Sequence, residues 1–322
     1  MRAIRISKNG GPEVLSYEEV EAPEPEANEV VFRVEAAGIN FIDVYQRTGL
    51  YPVPLPTTLG LEAAGVVLRV GDNVTRFHVG DRIASAKVCG AYAEQAVVAE
   101  SAAVRVPEGI ESATAAALML QGMTAHYLAC DVFPLKPGDS ALVHAAAGGV
   151  GLLLTQIAKR RGARVVAVVG SEAKVLLACE AGAEEVVVSG KGNFAEVARL
   201  FTKNRGVDVV YDSVGKDTFE GSLASLRPRG MMVSFGNASG PVPPFSPLIL
   251  SQKGSLFFTR PTLGHYTETI EEIQKRVDDL FGWVAAGELK VRIGATIPLA
   301  EAAAAHHALE SRETTGKVLL IP

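Results

Sequence analysis

Residues 140–170, SALVHAAAGGVGLLLTQIAKRRGARVVAVVG, restrict the fold of this chain more than any other stretch. Ala141-Leu142-Val143 is a short apolar run suited to a strand buried on both faces. Small residues from Ala145 to Gly151 make a turn. Leu153, Leu154, Ile157 and Ala158 then recur on one helical face, and Gly162 ends that helix. Arg164–Val169 returns as a second buried strand. The spacing predicts a strand–turn–helix–strand crossover unit. Within it, Ala146-x-Gly148-x-x-Gly151 has the spacing of a dinucleotide fingerprint with Ala at its first position. Small residues let a backbone approach a pyrophosphate, and the helix N-terminus beyond offers unpaired N–H groups and a partial positive charge. Gly151 lets helix and strand pack closely. Gly-rich hexapeptides also punctuate ordinary loops; the strand before and the helix after give this one its context.

The surrounding chain extends the pattern. Residues 1–110 read as short strands broken by Gly and Pro (Glu29–Ala37, Glu62–Val70, Arg82–Ala84, Tyr92–Val98), an all-β barrel-like module. From Ser112 helices and strands alternate, with buried strands at Ala141–His144, Arg164–Val169, Glu185–Val188, Val207–Asp212, Met231–Phe235 and Ser255–Thr259. Six such strands with helical spacers predict an open, doubly wound parallel sheet. After Thr259 come a helix around Thr267–Ala286, a strand near Gly294–Pro298, an Ala-rich helix to Ser311 and a closing strand Lys317–Ile321. That tail is too small to stand alone and is expected to complete the N-terminal module.

At 322 residues, 48% hydrophobic and 21% charged, the chain can bury two cores. A net charge of −5 and the lack of basic–aromatic clusters argue against a nucleic-acid partner. The basic run Lys159-Arg160-Arg161 falls at a helix C-terminus, where cations suit the dipole. No leader pattern precedes the first strand, and the uncharged run Ser112–Cys130 suits a buried helix and its connector better than a membrane span. Three scattered cysteines, Cys89, Cys130 and Cys179, form neither a disulfide framework nor a zinc lobe, so the cytoplasm is expected.

The end of the second strand bears on cofactor choice. NAD sites place Asp or Glu there to hold the ribose hydroxyls. This chain has Val169-Gly170-Ser171, with Lys174 one turn on, a set suited to a 2′-phosphate. Glu172 is contrary, yet it lies past the strand end, where acids favour the helix dipole.

Several further motifs carry a family resemblance: Gly38-Ile39-Asn40-Phe41-Ile42-Asp43, Gly49-Leu50-Tyr51-Pro52, Leu59-Gly60-Leu61-Glu62, Gln121-Gly122-Met123-Thr124-Ala125, His144–Gly151, Val210–Gly215, Ser234-Phe235-Gly236-Asn237 and Thr259-Arg260-Pro261. Over its whole length the chain resembles the zeta-crystallin-like quinone oxidoreductases of the medium-chain dehydrogenase/reductases. The resemblance implies a GroES-like β-barrel catalytic domain (1–121 and 263–322) and a Rossmann NADPH-binding domain (122–262), with NADPH in the cleft between them. Carried over, Gly148, Gly149, Val150 and Gly151 would face the pyrophosphate; Gly170, Ser171, Lys174 and Arg312 the 2′-phosphate. Asn40, Tyr45, Tyr51, Thr124 and Tyr127 would lie toward the nicotinamide. Ser213, Phe235, Gly236, Asn237 and Arg260 would line the remaining cofactor wall. Ser189 stands where relatives often have Tyr, removing an aromatic contact near the adenosine.

Zinc divides that superfamily. The zinc enzymes have Cys where Asn40 stands and His where Leu61 stands, so no metal site is expected. Glu62 remains without the other ligands. His306 and His307 are adjacent on a helix and diverge by about 100°, and His144 reads as a hydrogen-bonded strand-end residue. What remains is a nicotinamide with amides, hydroxyls and aromatic rings, suited to hydride transfer onto an electron-poor acceptor. Catalytic candidates are Asn40, Tyr45 and Tyr51; either tyrosine could donate a proton or simply line a cleft. A quinone reductase, a reductase of α,β-unsaturated aldehydes or ketones, and a non-catalytic NADPH-binding structural or RNA-binding protein all stay open. The apolar run Ser255–Phe258, a candidate edge strand, and the resemblance lead us to expect a homodimer.

Overall fold

The computed structural model describes all 322 residues, and the chain divides into two compact units, Met1–Met123 with Thr267–Pro322, and Thr124–Tyr266. The second unit is therefore an insertion in the first.

The inserted unit is built on a six-stranded sheet in the order Glu185–Val188, Arg164–Val169, Ser140–Val143, Val207–Asp212, Leu226–Ser234, Phe257–Thr259. Every neighbouring pair runs parallel. The continuous apolar character of the central strands follows, because helices cover both faces. Leu142, Val166, Val210 and Met232 lie in one core with Phe219, Leu223 and Leu256. Chain order reverses direction beside Ser140–Val143, whose neighbours are Arg164–Val169 and Val207–Asp212. Such switch points open a crevice at the carboxyl ends of the strands.

The other unit is mostly antiparallel. Strand Glu29–Gly38 pairs with Glu62–Val70, Gln95–Ala99 and the closing strand Lys317–Ile321, where Leu319 opposes Gly38. The C-terminal strand thus completes the sheet begun by the N-terminal third. Phe32, Val67, Ile83 and Tyr92 pack with Leu299, Ala305 and Leu320 in its core.

Several boundaries differ from the sequence pattern for identifiable reasons. The strand expected from Tyr92 begins at Gln95, because Tyr92 bonds through its backbone to Ile4 and Leu59 before the chain turns to a new partner. The strand expected at Met231 begins at Leu226; Pro228, Gly230 and a left-handed Arg229 (φ 59°) hid its first half. The last sheet strand begins at Phe257, since Ser255 sits at φ 57°. Helix Phe41–Thr48 was not anticipated, although the Asp43 carboxylate accepts from the Asn40 backbone N–H at its start, one half of a capping box. No helix is long and apolar enough to cross a membrane.

Candidate functional site

In the inserted unit, the expected ligand-facing residues follow strand ends on one edge of the sheet. Strand Ser140–Val143 runs into a turn that holds Ala145 at φ 49°, a left-handed conformation unusual for a residue with a side chain. Helix Gly149–Arg160 follows, and no side chain caps it. The N–H groups of Gly149, Val150 and Gly151 occupy its first turn, where no carbonyl lies one turn back. A Cβ on Gly151 would stand 2.3 Å from the Ala145 carbonyl oxygen and 2.6 Å from Ala146 Cα. Only glycine lets this helix approach the strand so closely.

Strand Arg164–Val169 ends at Gly170 and Ser171, with no carboxylate on the last strand residue or the two that follow. A Cβ on Gly170 would meet nothing within 4 Å, so the backbone there is open. Lys174 ends the short turn of helix after Ser171, and partial burial pulls its pKa down. Ser189 follows strand Glu185–Val188 and is exposed.

Ser213 follows strand Val207–Asp212 in a turn shaped by Asp212. That buried carboxylate accepts from Val214 N (2.8 Å), Gly215 N (2.9 Å), Thr218 Oγ1 (2.7 Å) and Ser222 Oγ (2.8 Å). His144 Nε2 lies 2.9 Å from Ser222 Oγ, and burial lowers the pKa of its imidazole. It serves the turn's support rather than an open site. The wall beyond is equally fitted: a Cβ on Gly236 would lie 2.4 Å from Ser213 O. Arg260 Nη1 donates to Gly236 O at 3.0 Å, and the Asn237 amide, oriented by its neighbours, accepts from Arg260 Nη2 at 3.1 Å. Phe235 lies half-buried beside them. Thr124 and Tyr127 belong to helix Ser112–Tyr127; the Tyr127 ring stacks on Tyr266 at 4.5 Å and 9°.

The other unit holds Asn40, Tyr45, Tyr51 and Arg312. Tyr45, in helix Phe41–Thr48, meets Tyr51 edge to face at 5.2 Å; Tyr45 is buried and Tyr51 is 37% exposed. Arg312 is exposed at φ 61°. Asn40 is the surprise. Its Nδ2 donates to Glu62 Oε2 (2.8 Å) and Gly38 O (3.3 Å), while its Oδ1 accepts from Lys317 Nζ (3.0 Å) and Gln121 Nε2 (3.2 Å). All four bonding positions of the amide are taken within the protein. Lys317 and Glu62 are themselves in direct hydrogen-bonded contact and buried.

A second buried cluster adjoins the first. Asp43 Oδ2 accepts from Asn40 N (2.8 Å) and from the Tyr92 hydroxyl (2.8 Å), and Tyr92 also meets His306 Nε2 at 3.2 Å. Arg47 closes the cluster, 3.0 Å from His306 Nδ1 and 2.8 Å from Glu310. Burial pushes the Asp43 carboxyl up to about 7. Burial, then the Arg47 guanidinium, holds His306 down at about 3. Sequence reasoning missed Asp43, Tyr92, Gln121, His306 and Lys317. The Asn40-x-x-Asp43 spacing at a helix start pointed to Asp43; the others meet only through the topology. No group of three or more His, Cys, Asp or Glu side chains is arranged to hold a metal ion.

Two family models match the chain: one described as an alcohol dehydrogenase GroES-like domain over residues 26–108, and one as a zinc-binding dehydrogenase over 149–280. A quinone oxidoreductase from Pseudomonas aeruginosa is 49% identical, covering 100% of this chain and 99% of that protein. A 2-haloacrylate reductase from a Burkholderia species is 42% identical over 99% of this chain and 98% of its own. The Escherichia coli quinone oxidoreductase, solved complexed with NADPH, superposes with a TM-score of 0.98 at 44% identity, covering 100% of both chains.

Proposed function

This chain belongs to the zinc-independent quinone oxidoreductases of the medium-chain dehydrogenase/reductase superfamily, and on that premise we propose that it uses NADPH to reduce a quinone or a similarly electron-poor acceptor. The observation that carries the proposal is the carboxyl edge of the six-stranded sheet. There the strand ends deliver a glycine-fitted helix N-terminus, then an open Gly170-Ser171 with no carboxylate of its own, followed by Glu172, which pairs with Lys191, and by Lys174. In this assignment the N–H groups of Gly149, Val150 and Gly151 hold the pyrophosphate. Ser171 and Lys174 hold the 2′-phosphate, to which the family resemblance adds Arg312. Ser213, Gly236, Asn237 and Arg260 line the cofactor beyond the phosphates, while Thr124 and Tyr127 belong toward the nicotinamide. Ser189 offers a hydroxyl rather than a ring to the adenosine half.

The bound nicotinamide supplies the hydride. The protein's part is to orient the reactants and to stabilise the oxygen that gains charge. Tyr51, the more exposed of the aromatic pair, is assigned as hydrogen-bond donor to that oxygen, with Tyr45 buttressing its ring. Asn40 is reassigned from catalytic contact to tying together Gly38, Glu62, Gln121 and Lys317, since its amide is saturated.

A second acceptor class is favoured by one comparison. A relative named 2-haloacrylate reductase suggests that activated alkenes are accepted on the same scaffold. The test is NADPH oxidation by the purified protein with a simple quinone and with a panel of α,β-unsaturated carbonyl compounds. Turnover of the quinone at a higher kcat/KM supports the first assignment. Turnover of only the alkenes replaces it, and NADPH binding without turnover of either overturns enzymatic function.

We further propose a cytoplasmic homodimer. Its three cysteines form no disulfide, which suits a reducing compartment. The last sheet strand, Phe257–Thr259, is an edge whose Phe257 is 58% exposed, a surface that pairing with a second copy would cover.

A further inference from the structure

Glu172 is the residue that runs against a 2′-phosphate site. It lies one residue past Ser171 and two before Lys174, and it is the first carboxylate after strand Arg164–Val169. A carboxylate near this strand end can accept from the ribose hydroxyls, which favours a cofactor without the extra phosphate. It also repels a phosphate that carries about two negative charges.

A neighbouring loop engages this carboxylate. Strand Glu185–Val188 runs parallel to Arg164–Val169, with Val188 opposite Val169, and Ser189 N donates to Val169 O at 2.8 Å. Gly190 then takes φ 81°, in the left-handed region, and Lys191 N donates back to Val188 O at 3.1 Å. The chain reverses there, and Lys191 Nζ stands 3.2 Å from Glu172 Oε1. Sheet order gives the pair a direction. Strand Glu185–Val188 flanks Arg164–Val169 on one side, and Ser140–Val143, which leads into the glycine turn, flanks it on the other. Lys191 therefore draws the Glu172 carboxylate toward the outer strand, away from the turn assigned to the pyrophosphate. The two side chains are 67% and 65% exposed, so their pairing adds little to stability. Its consequence lies in the charge that a bound phosphate meets.

We propose that Lys191 is a specificity-determining residue for the cofactor: by pairing with Glu172 it withholds that carboxylate from the ribose and lets Ser171 and Lys174 accept a 2′-phosphate. The proposal rests on the NADPH assignment above. Ser171, Glu172, Lys174 and Lys191 all belong to the inserted unit.

The test uses adenosine 2′,5′-bisphosphate and 5′-AMP, which carry the adenosine half of the phosphorylated and unphosphorylated cofactors and need neither nicotinamide nor turnover. Calorimetry on the full chain gives dissociation constants for wild type, Lys191→Met, Glu172→Gln and Glu172→Gln/Lys191→Met. Both positions are exposed, so all variants should fold, which thermal melts check. Lys191→Met frees Glu172 and should weaken the bisphosphate about fivefold, the order expected for a carboxylate roughly 6 Å from a phosphate dianion in salt-screened water. It should leave 5′-AMP within twofold, and raised salt should shrink the deficit. Glu172→Gln should bind the bisphosphate at least as well as wild type. The double variant should return to within twofold of wild type, because no carboxylate remains to be withheld. A Lys191→Met variant within twofold of wild type for the bisphosphate overturns the proposal. So does a double variant as weak as the single one, since Lys191 would then act on the phosphate directly. Wild type that binds both fragments alike overturns the NADPH assignment itself, whereas failure to reduce quinones leaves these binding results standing.

Discussion

Gly151→Ala adds one methyl group where helix Gly149–Arg160 crosses the preceding turn. The new carbon would sit 2.3 Å from Ala145 O, 2.6 Å from Ala146 Cα and 2.9 Å from Ala146 C, all of them backbone atoms. Ordinary contact starts near 3.4 Å, so the helix must retreat by roughly 1 Å or the turn must open. Neither is easy. Ala145 is already left-handed, and the helix buries Leu153, Leu154 and Ile157 against the sheet. Overpacking of this kind costs about 1–3 kcal/mol, or roughly 3–10 °C in Tm for a unit of this size. The same retreat should draw the first-turn N–H groups away from the proposed pyrophosphate position, and the loss of one or two good hydrogen bonds should weaken NADPH about tenfold to hundredfold. Thermal melts with and without NADPH read both effects, because a ligand of the folded state stabilises it by RT ln(1 + [L]/Kd), so a weaker Kd gives a smaller rise in Tm. Gly170→Ala is the internal control: its Cβ meets nothing within 4 Å, so the ligand-free Tm should move by no more than about 1 °C. A Gly151→Ala protein that melts and binds NADPH like wild type would refute the close-approach reasoning.

Lys174→Ala should weaken NADPH about tenfold while leaving NADH nearly unchanged, and raised salt should reduce the wild-type preference; steady-state kinetics with both cofactors checks this. Asp43 has a folded-state pKa raised to about 7, so the folded protein holds its proton more tightly than the unfolded chain, and this residue's contribution to stability falls as pH rises from about 4 to 7. His306, held down at about 3, acts in the opposite sense, adding stability as pH rises from about 3 to 6.5. Asp43→Asn should therefore steepen the rise of stability with pH in the window the two groups share, as measured by denaturant unfolding at a series of pH values. Prolonged treatment with a chelator should leave kcat unchanged, and elemental analysis should find less than one tenth of a zinc per chain, on the order expected for a chain without a ligand cluster. Sedimentation should give twice 33.9 kDa, and Phe257→Asp should shift the protein toward monomer.

The sheet was legible because its physics is local. Arg164–Val169, Glu185–Val188 and Val207–Asp212 are apolar runs closed by turn residues, and their bounds match the expectation residue for residue. The glycine turn was legible for the same reason, since Gly148 and Gly151 sit between a strand and a helix in sequence. The buried polar clusters were not. Lys317 lies 277 residues from Asn40 and 255 from Glu62, and nothing near it in sequence shows that its ammonium is enclosed. Asn40 illustrates the limit. Its type excluded a metal ligand, yet only its four bonds revealed that it has no capacity left for a substrate.

The stack of Tyr127 on Tyr266 has an engineering consequence. The chain passes into the inserted unit at Thr124 and out of it at Tyr266, and the rings near those two points lie 4.5 Å apart. An insertion whose start and finish adjoin behaves as a cassette, because its host segments need not be stretched to receive it. Exchange of residues 124–266 for the corresponding segment of a relative with another nucleotide preference should therefore transplant the share of that preference set by Ser171 and Lys174, leaving the share assigned to Arg312 with the host. The graft needs to preserve one aromatic pair at the seam.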